Sequence, residues 1–302
     1  MEYTISNGIL QVTVSDQGAQ VFSVREISDG TEYMWQGDPA VWKYHAPILF
    51  PHPGKVPGGS FIAKGQEFAA KSHGFARELT HTLVSHTEDK IVLELRENET
   101  TLARWPYRFR LVSEFTLEGR TLRHTLRVEN HDPEAMAFGI GYHPAFRIPM
   151  TPGHRDYELR FSQAESPVCI ATNAEGLLTD RTYYLGKNIK TIPVNRALFA
   201  NDSHMMVGLH SKELSLVEKD TGRSVTCDIS GYPYVLIWSA PGEPQFVCIE
   251  PWQSTPSPEE GGNLWEEKPA AAVLQPGETY ETCLKTTFSG VSSTIAAPIS
   301  PE

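Results

Sequence analysis

The sequence predicts an all-β protein, a large antiparallel β-sandwich with few short helices, and three observations carry that expectation. Runs of alternating apolar and polar residues recur along most of the chain, turns rich in Gly, Pro and Asn/Asp separate them, and no helical apolar period outlasts a turn or two. Dense short strands divided by such turns form sandwiches or barrels.

Two hairpins can be checked by register. From Tyr107 to Leu117 the apolar residues fall on odd positions (Phe109, Leu111, Phe115, Leu117), and after Glu118-Gly119 on even ones (Leu122, Leu126, Val128). A two-residue turn at Glu118-Gly119 reconciles the switch by setting Phe115 opposite Leu122 and Leu111 opposite Leu126. A second turn at Thr221-Gly222 would bring Leu214 and Leu216 against Ile229 and Cys227. Further strands are expected at Ile9–Val14, Ala19–Glu26, Lys90–Arg96, Ala135–Ile140, Tyr157–Phe161, Tyr234–Ser239, Phe246–Glu250 and Tyr280–Phe288.

Residues 1–290 are expected to form one sandwich domain, since all-β domains of such length often stand alone, and residues 291–302 a tail without core residues. There is no internal repeat. Proline-rich stretches at Pro47–Pro57 and Pro251–Pro258 interrupt strand patterns and are expected as rim loops, where sites usually sit.

No window approaches the roughly 18 apolar residues of a membrane-spanning helix. The opening MEYTISNGIL has neither a basic nor an apolar signal region, so a cytoplasmic protein is expected. Cys169, Cys227, Cys248 and Cys283 are scattered without a CxxC pair and are expected to be buried thiols. A net charge of −11 repels nucleic acid and anionic membranes and favours a small neutral partner, although a local basic cluster could still hold a phosphate.

Two segments stand out chemically. In Gly139-Ile140-Gly141-Tyr142-His143-Pro144-Ala145-Phe146 a histidine closes a strand directly before proline, which restricts its backbone and should end the pairing there. Taken alone, His143 is one of eleven histidines, and a strand-edge cap is the stronger reading. In Phe246-Val247-Cys248-Ile249-Glu250-Pro251-Trp252 a carboxylate closes four apolar residues. Half-burial there would raise its pKa and suit it to general-base work, whereas a solvated glutamate past a strand end is equally consistent with the pattern.

Two weaker candidates are Ser72-His73-Gly74-Phe75-Ala76-Arg77, where His73 and Arg77 flank a glycine that permits close approach, and Pro51-His52-Pro53-Gly54-Lys55, where Lys55 is more often simply solvated. Walker loops, GxSxG elbows, HExxH and metal-spaced His/Glu clusters are absent from the sequence.

Taken together, Pro-Ile-Leu-Phe-Pro (47–51), His-Gly-Phe-Ala-Arg (73–77), Gly-Tyr-His-Pro-Ala-Phe (141–146) and Cys-Ile-Glu-Pro-Trp (248–252) resemble the aldose 1-epimerase, or galactose mutarotase-like, family, particularly its LacX-like branch. The resemblance runs from Ile5 to about Phe288, and four motifs in fixed order are far more specific than any one. It implies His143 as general acid, Glu250 as general base and His73 as a holder of sugar hydroxyls. It also implies an aldose as the small-molecule partner, with no cofactor and no metal. Lys55 stands where family members usually carry an arginine, keeping the charge but losing the planar fork. The family's further hydroxyl-binding aspartate is expected upstream of Leu214, yet Asn195–Phe199 contains no acid.

Trp252, Tyr232 or Trp238 could stack on a sugar face, although core packing is the likelier role for at least one of them. Two alternatives remain: a hexose-6-phosphate mutarotase, in which Lys55 and Arg77 would clamp the phosphate, and a non-catalytic carbohydrate-binding or sensing protein. Neither the physiological sugar nor the oligomeric state is legible in the sequence.

Overall fold

The computed structural model describes residues 1–291; the expected tail falls, beyond Val291, outside the described residues. The chain forms mostly antiparallel sheets, as its alternation predicts. Nine strands run in the order Ile189–Val194, Tyr157–Glu165, Glu213–Glu218, Ser224–Asp228, Thr279–Ser289, Thr121–Asn130, Phe109–Glu118, Lys90–Arg96 and Thr82–His86. A second, eight-stranded sheet runs Leu178–Tyr184, Val168–Thr172, His204–Val207, Tyr234–Trp238, Phe246–Trp252, Gly141–Tyr142 and Ile48–Leu49, with Ala145–Arg147 also pairing with Phe246–Trp252. No helix among the described residues is long and apolar enough to cross a membrane.

The two large sheets bury their facing side chains in one extended core that includes Phe109, Leu111, Phe115, Leu126 and Val128 from the first sheet and Tyr142, Phe146, Val235, Ile237, Val247 and Ile249 from the second. The layers are also tied by hydrogen bonds. The Tyr142 hydroxyl donates to the carbonyls of His124 (2.8 Å) and Thr282 (3.0 Å), so the strand that ends at the site is anchored across the sandwich.

Both hairpins form, each in a different register from the one expected. Thr121 pairs with Glu118 and Leu122 with Leu117, so the turn is Gly119-Arg120, with Gly119 at φ 57°. In the second hairpin Leu214 pairs with Cys227 and Leu216 with Val225, and Lys219–Gly222 form the loop. Both slips are by two residues, which leaves every side chain on its own face; alternation fixes the face and cannot distinguish registers two apart.

The four cysteines are free thiols on strands, three of them buried. The expectation that Glu250 ends a strand is corrected: pairing with Tyr234–Trp238 continues through Pro251 and Trp252, so Glu250 lies inside a wholly buried strand. Pairing does stop at His143-Pro144, which separates Gly141–Tyr142 from Ala145–Arg147.

Candidate active site

The sheet register brings the two principal candidates together. Gly141 pairs with Trp252 on one side of the His143-Pro144 break, and Ala145 pairs with Cys248 on the other. The frame is unchanged across the break, so His143 lies directly opposite Glu250. Side chains of opposed residues meet on one face, and His143 Nε2 is 3.2 Å from Glu250 Oε2. Both side chains are buried, at 8% and 2% exposure.

Burial decides their charge. Removal from water pushes the Glu250 carboxyl well up, an effect the nearby Asp202 charge reinforces. It also drives the His143 imidazolium down to about 3, with Arg77 adding in the same direction. Burial therefore works against charge on both members of the pair. Trp42 stacks on the His143 ring at 5.0 Å between centroids, and Trp238 meets it edge-on at 5.8 Å. His143 Nδ1 is buried without a hydrogen-bond partner among the described residues.

The pair forms part of the wall of a cavity of about 210 Å³, lined also by Trp42, His73, Arg77, Asp202, Ser203, Trp238 and Trp252. His73 enters from its loop with a left-handed backbone, φ 66°, followed by Gly74 at φ 68°. A Cβ on Gly74 would lie 2.2 Å from the Phe50 carbonyl oxygen, so only glycine lets this loop close on the Phe50-Pro51 segment. The Gly54 N–H donates to His73 Nδ1 at 3.0 Å. In the neutral ring that burial imposes, Nε2 then carries the proton and is a donor. Arg77 is held by a bond from Nη2 to the Ser72 carbonyl (2.8 Å) and by packing 4.7 Å over the Tyr44 ring, while its buried Nε is unpartnered.

A second cavity of about 170 Å³ shares His73, Asp202, Ser203, Leu236 and Trp252 with the first and extends to Lys55, Ser72, Thr172, Asn173 and Gly176. Lys55 therefore lines the second cavity and Arg77 the first. Of the aromatic candidates, Trp238 lines the first cavity and Trp252 both. Tyr232 lines neither: it lies edge-on to Tyr142 and its hydroxyl is 3.1 Å from that of Thr282.

Asp202, Ser203 and Trp42 escaped the sequence reading. Asp202 occupies the place where an acid upstream of Leu214 was sought, in the turn just before His204–Val207, with φ 76°. Its signal was Asn201-Asp202, a pair prone to left-handed turns, three residues beyond the stretch searched. No sequence pattern distinguished Trp42 from a core tryptophan.

The fold and the paired groups describe a β-sandwich protein with a buried histidine–glutamate pair facing a cavity. Family comparison agrees: the aldose 1-epimerase model matches residues 1–285, and the chain belongs to that family. It is similar to the plasmid-encoded protein LacX of Lactococcus lactis subsp. lactis, with 33% identity over 92% of this chain and 96% of that protein. Among solved structures it is similar to a galactose mutarotase related enzyme from Lactobacillus acidophilus, with 28% identity, 97% and 99% of the two chains covered and a TM-score of 0.91. A galactose mutarotase-like protein from Lactobacillus casei shares the fold at 24% identity and a TM-score of 0.89, with 96% of this chain and all of that one (100%) covered.

Proposed function

We propose that the protein is an aldose 1-epimerase, an isomerase that interconverts the α and β anomers of an aldose by opening and closing the ring. The observation that carries this reading is the cross-strand placement of His143 and Glu250, 3.2 Å apart at a cavity with aromatic walls and polar groups at its margin. The anomeric oxygen and the ring oxygen share one carbon. An acid and a base serving them must therefore lie within about 8 Å of each other, two hydrogen-bond lengths plus the spacing of the oxygens, and these two lie well inside that limit.

The pair holds one mobile proton. With that proton on His143 and Glu250 ionised, Glu250 takes the proton of the anomeric hydroxyl, the C1–O1 double bond forms, the bond from C1 to the ring oxygen breaks, and His143 protonates that oxygen. The pair is left as neutral histidine and protonated glutamate, the form that burial favours. Rotation about C1–C2 followed by reverse proton transfers gives the other anomer. Each positioned group contributes roughly 10²–10⁴-fold. His73 Nε2–H, Arg77 and Asp202 are placed to hold hydroxyls, Trp238 and Trp252 to pack on a sugar face.

A second reading has one observation in its favour: Lys55 lines the second cavity with no ion-pair partner among the described residues. A phosphate carried by the aldose into that cavity would meet this lysine. Polarimetry or NMR exchange on α-glucose, α-galactose and glucose 6-phosphate tests both readings. Accelerated equilibration that is lost in Glu250→Gln and His143→Asn is expected. Sugar binding with every anomer left at its spontaneous rate would make the protein a binder instead. A phosphate preference abolished by Lys55→Ala would select the second reading.

A further inference from the structure

The catalytic face carries a third side chain that proton transfer does not use. Cys248 precedes Glu250 by two residues on the same strand and so points to the same face. It is completely buried, beside Trp35, Ala145 and Phe246. His143, Cys248 and Glu250 each offer one ligand atom, and the three atoms lie within 4.8 Å of one another.

Their chemistry fits one class of ligand. A tetrahedral ion with nitrogen and oxygen each at about 2.1 Å spaces those two atoms roughly 3.4 Å apart, and His143 Nε2 and Glu250 Oε2 stand at 3.2 Å. An inward movement of the Cys248 sulfur by up to about 1 Å completes the third edge. A thiolate and a carboxylate neutralise a divalent charge, so a buried site with neutral imidazole carries no net charge. The thiolate selects a thiophilic ion over magnesium or calcium. Three protein ligands leave the fourth position open to the cavity, as in sites that bind an exchangeable ligand.

We propose that His143, Cys248 and Glu250 form a zinc-binding site that switches the pocket off. Binding displaces the thiol and carboxyl protons to solvent and occupies the two lone pairs that would otherwise relay protons to the sugar. The metal site itself does not depend on the proposed isomerase activity; only its inhibitory consequence does.

The test uses the full chain, stripped with a chelator and then titrated with cobalt(II) and zinc(II) chlorides. One cobalt per chain is expected, giving tetrahedral visible bands and a near-ultraviolet thiolate charge-transfer band, both displaced by one equivalent of zinc. In Cys248→Ala the charge-transfer band should vanish and zinc affinity fall on the order of tenfold or more, with Cys248→Ser as the second variant should alanine impair folding. Zinc should stop sugar turnover by the wild type, EDTA should restore it, and stopping turnover by metal-free Cys248→Ala should require on the order of tenfold more zinc or greater. Failure of stripped wild-type protein to retain cobalt, or survival of the band in both variants, would overturn the proposal. Because the spectra are read without sugar, stoichiometric cobalt binding by a protein that turns over no aldose would reject the isomerase reading and leave the metal site standing.

Discussion

Glu26 and Glu250 are both almost wholly buried, at 3% and 2% exposure, yet their surroundings have opposite effects. Arg120 grips both oxygens of Glu26 at 2.7 Å, and the Tyr33 hydroxyl adds a third bond at 3.1 Å. The Arg120 bond leads in holding this carboxyl below its ordinary range, against the opposing pull of burial. Glu250 has only His143 within ion-pair distance among the described residues, and burial drives its carboxyl up. A buried carboxylate supplied with a guanidinium becomes structure. One left facing a histidine and a cavity has its proton affinity raised by burial instead.

The sharpest way to break this contrast is to neutralise each carboxylate in turn. Glu250→Gln should lower kcat for anomer exchange by roughly 10²–10⁴-fold while leaving the thermal midpoint unchanged or raised, because it removes a group that is costly to ionise in place. Polarimetry alongside thermal unfolding measures both. Glu26→Gln should do the reverse, lowering stability by about 2 kcal/mol through the loss of charged hydrogen bonds with turnover per folded molecule retained. Loss of activity in folded Glu26→Gln would show that the two regions are not independent.

The pH dependence of these two effects should run in opposite directions. Glu26 is depressed in the folded state, so its stabilisation is present above the ordinary carboxylate pKa and is lost as pH falls through the folded value. Glu250 is raised, so the protein is favoured below the ordinary value and loses that advantage as pH rises through the folded one. Urea unfolding across pH should therefore show the Glu26→Gln penalty fading in acid, and Glu250→Gln becoming relatively more stable toward alkali. Each slope is limited to about 1.4 kcal/mol per pH unit for a single group.

The contrast was only half legible in the sequence. Four apolar neighbours left Glu250 open between a half-buried and a solvated carboxylate, and the following proline suggested that the strand would end there. The proline instead sits within the pairing, opposite Val235. Nothing local announced the burial of Glu26, because Arg120 lies 94 residues away and meets it only in the fold. The same limit explains the hairpins, where alternation fixed the faces while the strand pairing fell two residues from the expected register. Short strands such as His204–Val207 lack enough residues to display a period, which is why the acid preceding it was missed. Tyr232 was grouped with the tryptophans by residue type, and only packing against Tyr142 separates it from the site.

Asp202 offers the smallest and most specific perturbation. It is exposed, lines both cavities, and its charge is one reason the Glu250 carboxyl stays high. Asp202→Asn retains a hydroxyl-binding side chain while removing that charge. A lost charged hydrogen bond of about 1.5 kcal/mol corresponds to a roughly tenfold rise in KM. With less repulsion, Glu250 should ionise more readily, so the limb of the pH–rate profile governed by its ionisation should move to lower pH. If KM rises and the limb stays in place, Asp202 acts on the sugar alone. If the limb moves and KM does not, its role is to tune the base from the rim of the cavity.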